Sequence, residues 1–265
     1  MSTTHAKPAD MVMSYYGSKY RLARHYPAPR HPVIVEPFAG GAAYSLHYPE
    51  HEVHLYDLNE KVCGVWDYVI RATPQEILAL PLLGPEDTVD SLPSHLPQEA
   101  RWLIGWWMRY ATYAPGNGFT TCGKAHLARG HGTVWTRLRR DKIAQTASRV
   151  KHWRVTNAGY ESVANTPATW FVDPPYACKA GRSYPHHAVD FPALAEWCRE
   201  REGQVMVCEN SDSPAWLPFT SFRECVGATQ KGKGRKRTME VWWTNTGEHL
   251  PQAPAQQSLF DTEET

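Results

Sequence analysis

Short apolar runs ending in turn residues alternate with amphipathic stretches at both ends of the chain. Val33-Ile34-Val35-Glu36 stops at Pro37, and Val53-His54-Leu55-Tyr56 stops at Asp57. Runs of this length and composition predict buried strands. A helix follows the second, through about Arg71. Thr73-Pro74-Gln75-Glu76 then places an N-cap, an N1 proline and an N3 glutamate in the order of a capping box. The pattern resumes later with a strand at Thr169–Val172, a helix after Asp190, and a strand at Val205–Cys208. Two late strands follow near Phe219–Val226 and Met239–Thr244. Strand–helix alternation of this kind predicts an open α/β sheet.

The middle of the chain reads differently. Residues 81–97 hold four prolines and predict a connector. Glu99 to Tyr110 predicts an aromatic-rich helix, and the Gly- and Thr-rich residues 113–133 a loop. Val134 to His152 has helical spacing, with Val134, Leu138 and Ile143 inward and arginines on the other side. This segment reads as an insertion at 98–152 into a catalytic domain made of 14–80 and 153–245. Residues 1–13 and 247–265 read as disordered tails.

Composition narrows the classes. The chain has 265 residues, 42% hydrophobic and 21% charged, which excludes a fibrous or wholly disordered protein. No apolar run approaches the roughly 18 residues of a membrane span, and the N-terminus lacks the apolar core of a signal peptide. Six cysteines without a C-x-x-C pair predict reduced thiols in a cytoplasm-like compartment. Eleven Trp and thirteen Tyr supply flat surfaces that suit either stacking or core filling. The net charge of +1 hides an asymmetry. Residues 120–154 hold nine Lys/Arg against one acid, Asp141, so the window carries +8 and the rest of the chain −7. A second cluster runs through Lys231, Lys233, Arg235, Lys236 and Arg237. Two basic patches on a neutral protein suit a polyanion, or two solvated surfaces.

Three motifs carry candidate chemistry. E-P-F-A-G-G-A-A, Glu36 to Ala43, sits where a strand turns toward a helix, and Gly40 and Gly41 permit close backbone approach. Ligands of open α/β sheets bind at the carboxyl ends of strands, so this is a cofactor loop or a tight packing turn. Asp57, at the end of the next strand, is placed to accept hydrogen bonds from a ribose, or to cap a helix. There is no G-x-x-x-x-G-K-[ST] loop, which speaks against an NTPase. The most specific motif is D-P-P-Y, Asp173 to Tyr176, directly after a strand. Its prolines stiffen the turn and remove amide donors. The Asp173 carboxylate and the Pro174 carbonyl can then point at one exocyclic amine, and Tyr176 offers a stacking face. Cys122, His126 and His131 lie close in sequence, but their spacing fits no usual zinc finger. No metal is expected.

At these residues the chain resembles the Dam-like adenine-N6 DNA methyltransferases, over roughly residues 14–245. Y-Y-G-S-K, Tyr15 to Lys19, is similar to that family's N-terminal cofactor motif. E-P-F-A-G-G-A is similar to its cofactor loop, Asp57 to its ribose acid, and D-P-P-Y to its catalytic motif. Ala42 and Ala43 stand where the family often has Gly or Ser. The resemblance implies a Rossmann-like open twisted methyltransferase sheet with an inserted, mostly helical target-recognition region. It implies S-adenosylmethionine as cofactor, held by Tyr16, Lys19, Glu36, Pro37, Phe38, Ala39, Gly40, Gly41, Asp57 and Asp173. Asp173, Pro174, Pro175 and Tyr176 would act on the amine of a flipped adenine. Double-stranded DNA is the implied partner, without a membrane. Arg137, Arg139, Arg140, Lys231 and Lys233 are expected on its phosphates. The setting is the cytoplasm of a bacterium or of a phage's host, and a monomer suffices. The competing readings are an amino-methyltransferase acting on cytosine N4 or RNA, and an inactive DNA-binding protein of the same fold.

Overall fold

The computed structural model describes residues 7–226 and 237–248. Seven strands form one sheet: β1 (Val33–Glu36), β2 (Glu52–Asp57), β3 (Arg154–Asn157), β4 (Ala168–Val172), β5 (Gly203–Asn210), β6 (Thr220–Val226) and β7 (Arg237–Thr244). Their order is β3-β2-β1-β4-β5-β7-β6, with β7 between β5 and β6. The first five strands are parallel, and β7 is antiparallel to both neighbours. This is a Rossmann-like open sheet.

Alternation along the central strands explains two covered faces. Ile34, Leu55, Phe171, Met206 and Cys208 point into one core. Val35, Trp170, Val172, Val205 and Val207 point into the other. The second core is closed by α7, the helix Phe191–Glu200, through Leu194, Ala195 and Cys198; Asp190 caps that helix by accepting from the Ala193 amide at 3.0 Å. The remaining helices in chain order are α1 (Tyr20–Ala23), α2 (Glu60–Arg71), α3 (Pro74–Leu78), α4 (Gln98–Met108), α5 (Thr121–Ala128) and α6 (Arg137–Arg149). The capping box at Thr73 and Glu76 forms as the sequence predicts.

Several expectations need correction. Residues 7–13 are not a disordered lead: Ala9, Val12 and Met13 are buried, and Trp107 Nε1 donates to the Val12 carbonyl at 2.7 Å. Gly247 and Glu248 are described too, and the Glu248 carboxylate pairs with Arg30. Part of the 113–133 loop is α5, begun by Thr120 accepting from the Gly123 amide at 3.1 Å. That helix buries little beyond Gly123, so no apolar stripe announces it. β3 was missed for a similar reason: it is an edge strand with mostly exposed side chains. Leu138 is 50% exposed rather than inward. Helix α6 starts only at Arg137, so Val134 precedes it and the two are not helical neighbours. The segment 98–152 shares its core with the sheet, because Trp106, Trp107, Trp135 and Ile143 are buried together with Leu55 and Trp66.

The basic window is largely spent within the fold. Lys124 pairs with Glu86 at 2.6 Å, Lys142 with Asp10 at 3.1 Å, Arg149 with Glu50 at 2.9 Å and Arg154 with Glu52 at 3.5 Å. Lys151 donates to the carbonyls of Ile70 and Ala72 at the end of α2. Arg140 reaches the Leu80 carbonyl at 2.9 Å. Arg139 is buried, stacked 3.9 Å over the Trp107 ring and donating to the Gly132 carbonyl. In this arrangement Arg139 therefore holds α6 to α4 and does not present its charge to a phosphate. Among the described residues only Arg129 and Arg137 of the nine have no side-chain partner, and both are exposed. Lys231 and Lys233 lie outside the described residues.

Arg139→Ala removes a desolvated cation–π contact and leaves a cavity beside Trp107. We expect a stability loss of about 2–4 kcal/mol by urea unfolding. Arg137→Ala should stay within about 0.5 kcal/mol, as for an unpaired surface side chain. A loss below about 1 kcal/mol for Arg139→Ala would show that its guanidinium does not support the fold.

Candidate active site

Strand order reverses between β1 and β4, which pair directly through Ile34 with Thr169 and Val35 with Trp170. Such a switch point leaves a crevice at the strands' carboxyl ends. The glycine turn leaves β1 there, and D-P-P-Y leaves β4 beside it.

The turn is tied to β2. Asp57 Oδ2 accepts from the Gly40 amide at 2.9 Å, and its Oδ1 from the Asn59 amide at 2.8 Å. Each oxygen keeps a further lone pair. Burial pushes the Asp57 carboxyl upward, and the two amides oppose that shift. Trp66 Nε1 donates to the Gly40 carbonyl at 2.9 Å. Gly40 has φ +44°, and a Cβ there would stand 3.0 Å from the Tyr15 ring, so the turn requires a residue without one. Ala42, where the family pattern often has glycine, also lies in the left-handed region at φ 46°.

Pro37 and Ala39 are buried, and Phe38 stacks on Tyr160 at 5.6 Å between centroids. Glu36 departs from expectation. It is 2% exposed and accepts from the Ser45 amide at 2.8 Å, so it braces the turn from beneath and does not line the crevice. Burial pushes its carboxyl up to about 8, against the pull of the Ser45 side chain and amide. Glu36 is thus mostly neutral at pH 7. The folded value lies above the usual 4.5, so the stabilising contribution is complete below pH 4.5 and is lost as pH rises toward 8. Glu36→Gln mimics the neutral acid. Relative to this variant, wild type should lose on the order of 3–5 kcal/mol between pH 5 and pH 8.5 in urea unfolding. Parallel pH curves for the two proteins would rule out a buried neutral Glu36.

D-P-P-Y meets the N-terminal motif. Lys19 Nζ lies 3.0 Å from Asp173 Oδ1 and 3.3 Å from Glu240 Oε1, and 4.6 Å from the centre of the Tyr176 ring. The Tyr176 hydroxyl donates to Glu240 Oε1 at 2.6 Å. Burial opposes charge on Lys19, but Asp173 and Glu240 outweigh it and hold its pKa well above the ordinary value. Burial raises Asp173, and Lys19 draws it back. Pro174 is buried, Pro175 half-buried, and no hydrogen bond reaches the Pro174 carbonyl among the described residues. Tyr16 sits apart from this cluster, with its ring 4.5 Å from that of Tyr113 and its carbonyl accepting from Tyr184 at 3.1 Å. Tyr15, not Tyr16, packs against the glycine turn.

Sequence reasoning missed three residues here. Besides Glu240, Tyr184 stands beside Tyr16 and Tyr113, and its field reaches Asp173 and Lys19. Glu209 is buried and accepts from the Ala177 amide at 3.2 Å, Trp216 Nε1 at 2.8 Å and Ser213 at 2.8 Å, anchoring the chain as it leaves Tyr176. Two glutamates on strands β5 and β7 carry no local motif; only their burial marks them. Cys122 and His126 approach to 3.8 Å, and His126 and His131 rings to 5.4 Å. Among the described residues no three such ligands converge as a metal would need, and no helix is long and apolar enough to cross a membrane.

With this geometry in view, comparison with known proteins gives one family match. Residues 15–96 match the model of the D12 class N6 adenine-specific DNA methyltransferases. The match bears out the resemblance seen in the sequence and supports methyl transfer as the chemistry. It spans the Tyr15–Lys19 motif, the glycine turn and Asp57. No curated protein matches the chain. Among solved structures, an Escherichia coli protein assigned as methyltransferase yhhF matches at 12% identity over 79% of this chain and 73% of its own, with a TM-score of 0.29. That value carries no argument, and the fold rests on the strand order above.

Proposed function

We propose that this protein transfers a methyl group from S-adenosylmethionine to the N6 amine of adenine in double-stranded DNA. The observation that carries the reading is the meeting, at one switch point, of a glycine turn clamped by Asp57 with the D-P-P-Y carboxylate. S-adenosylmethionine, when bound, supplies an electrophilic methyl group on sulfur. The residues present fit it. Gly40 lets Tyr15 close against the turn, and Asp57 keeps lone pairs for ribose hydroxyls. Phe38 and the 52%-exposed Leu58 beside Asp57 give apolar cover for a purine.

N6 is a poor nucleophile because its lone pair is delocalised into the ring. The Asp173 carboxylate and the free Pro174 carbonyl accept the two N–H bonds, which favours a more tetrahedral nitrogen and stabilises the charge developing on it. The Lys19 ammonium, 3.0 Å from Asp173 Oδ1, favours the charged acceptor form of Asp173 against the burial that raises its pKa. Tyr176 offers its ring to a base that must leave the duplex to be reached, and Tyr16, Tyr113 and Tyr184 form an aromatic cluster nearby. With most of the 120–154 cations engaged, backbone contact falls to Arg129 and Arg137. Exposed Lys179 and Arg182, on the segment after D-P-P-Y, join them. Such contacts contribute affinity without sequence information. The protein would act in the cytoplasm where that DNA lies.

The test is incubation of mixed-sequence DNA with labelled S-adenosylmethionine, then nucleoside mass spectrometry. N6-methyladenine is the expected product. N4-methylcytosine alone, or methylated RNA with untouched DNA, would overturn the substrate assignment. No incorporation into any nucleic acid would favour the inactive binding protein.

A further inference from the structure

We propose that Glu240 is a positioning residue of this reaction, fixing Tyr176 and Lys19 in place around Asp173; the role rests on the function proposed above. Glu240 lies on β7, opposite Asn210 of β5, far from every motif the sequence displays. It is 5% exposed. A single oxygen, Oε1, receives the Tyr176 hydroxyl at 2.6 Å, Lys19 Nζ at 3.3 Å and the Tyr26 hydroxyl at 3.5 Å.

The arrangement is costly unless it serves something. A buried carboxylate needs several charged or hydroxyl partners, and a well-packed apolar side chain at the same strand position often serves stability as well or better. The partners of Glu240 are not scattered. One is the last residue of D-P-P-Y, and another is the lysine that also holds Asp173.

The consequence is geometric. Tyr176 follows two prolines, which fix its backbone but leave its ring free to turn about the side-chain bonds. The hydroxyl bond to Glu240 removes that freedom and holds the ring where Lys19 stands 4.6 Å from its centre. Lys19, likewise, is a long flexible side chain pinned between two carboxylates, one just after β4 and one within β7. Glu240 thus acts at one remove from the reacting amine, through the ring meant for the target base and through the cation beside the acceptor. The antiparallel strand β7 puts it there, pairing Glu240 with Asn210 of β5.

A double-mutant cycle separates positioning from mere support. Glu240→Gln keeps the volume and removes the charge, and Tyr176→Phe keeps the ring and removes only the hydroxyl. Each is expected to lower kcat on the order of 10–100-fold, as misplacement of a reacting group does. Calorimetric S-adenosylmethionine affinity should stay within about threefold of wild type, and KM for DNA should change little. Because the two act through one bond, the double variant should lose at most about twofold more than Glu240→Gln alone. Losses that multiply would assign Glu240 a general structural role and overturn the proposal. So would wild-type kcat in either single variant. If Glu240→Gln fails to fold, Tyr176→Phe still decides, since wild-type kcat without the hydroxyl leaves Glu240 nothing to position through it. Wild-type protein that methylates no DNA would overturn the functional reading and this role with it. Active wild type with unaffected variants would overturn only this role.

Discussion

Asp173→Ala stops methyl transfer while leaving the cofactor bound. In the proposed reaction the carboxylate is the acceptor aimed at the target amine, and removing one preorganised electrostatic partner of a transition state typically costs 10²–10³-fold. Asp173 also sets the orientation of that amine, so the expected drop in kcat is about 10³-fold or more. The fold should survive, because Lys19 keeps Glu240 at 3.3 Å and is not left as an unpaired buried cation. Affinity for S-adenosylmethionine should stay within about threefold, since Asp57 and the glycine turn are untouched. The check is incorporation of labelled methyl groups beside calorimetry on the same preparation. Turnover within about tenfold of wild type would remove Asp173 from the chemistry.

Asp57→Ala should have the reverse effect, on binding first. Two ribose hydrogen bonds to a charged acceptor are worth on the order of 2–4 kcal/mol, or roughly 30–1000-fold in affinity. The structure adds a second cause to the one visible in the sequence. Asp57 also holds the Gly40 amide at 2.9 Å, so its loss frees the turn on which the cofactor would lie. Calorimetry without DNA measures the change, with the unfolding midpoint as a control for the lost Asn59 contact. Equal affinity for the two folded proteins would take Asp57 out of the site.

These two residues were legible in the sequence because each belongs to a local pattern. A short β-branched run ending in a turn fixes where a parallel strand stops, and chemistry at that stop is displayed beside it. Thus β1, β2, β4 and β5, with Glu36, Asp57 and Asp173 at or just beyond three of their ends, could be read directly. The edge strand β3 and the helix α5 could not, because neither buries an apolar face that leaves a period in the sequence. The +8 window misled for a related reason. Charge counts cations without saying which of them meet a carboxylate, a carbonyl or an indole ring.

What the sequence by itself determined was every strand but β3, their order of appearance and the motifs at their ends, all properties of neighbouring residues. Only the tertiary structure decided which distant groups share a site. Lys19 meets Asp173 across 154 residues, and Tyr176 meets Glu240 across 64. The pairing of β7 between β5 and β6 brings Glu240 beneath D-P-P-Y, and the burial of Trp107 takes Arg139 off the surface. Such contacts depend on how sheet and helices pack against one another. Local propensity does not encode that packing, because the free energy that selects it comes from burying many side chains at once.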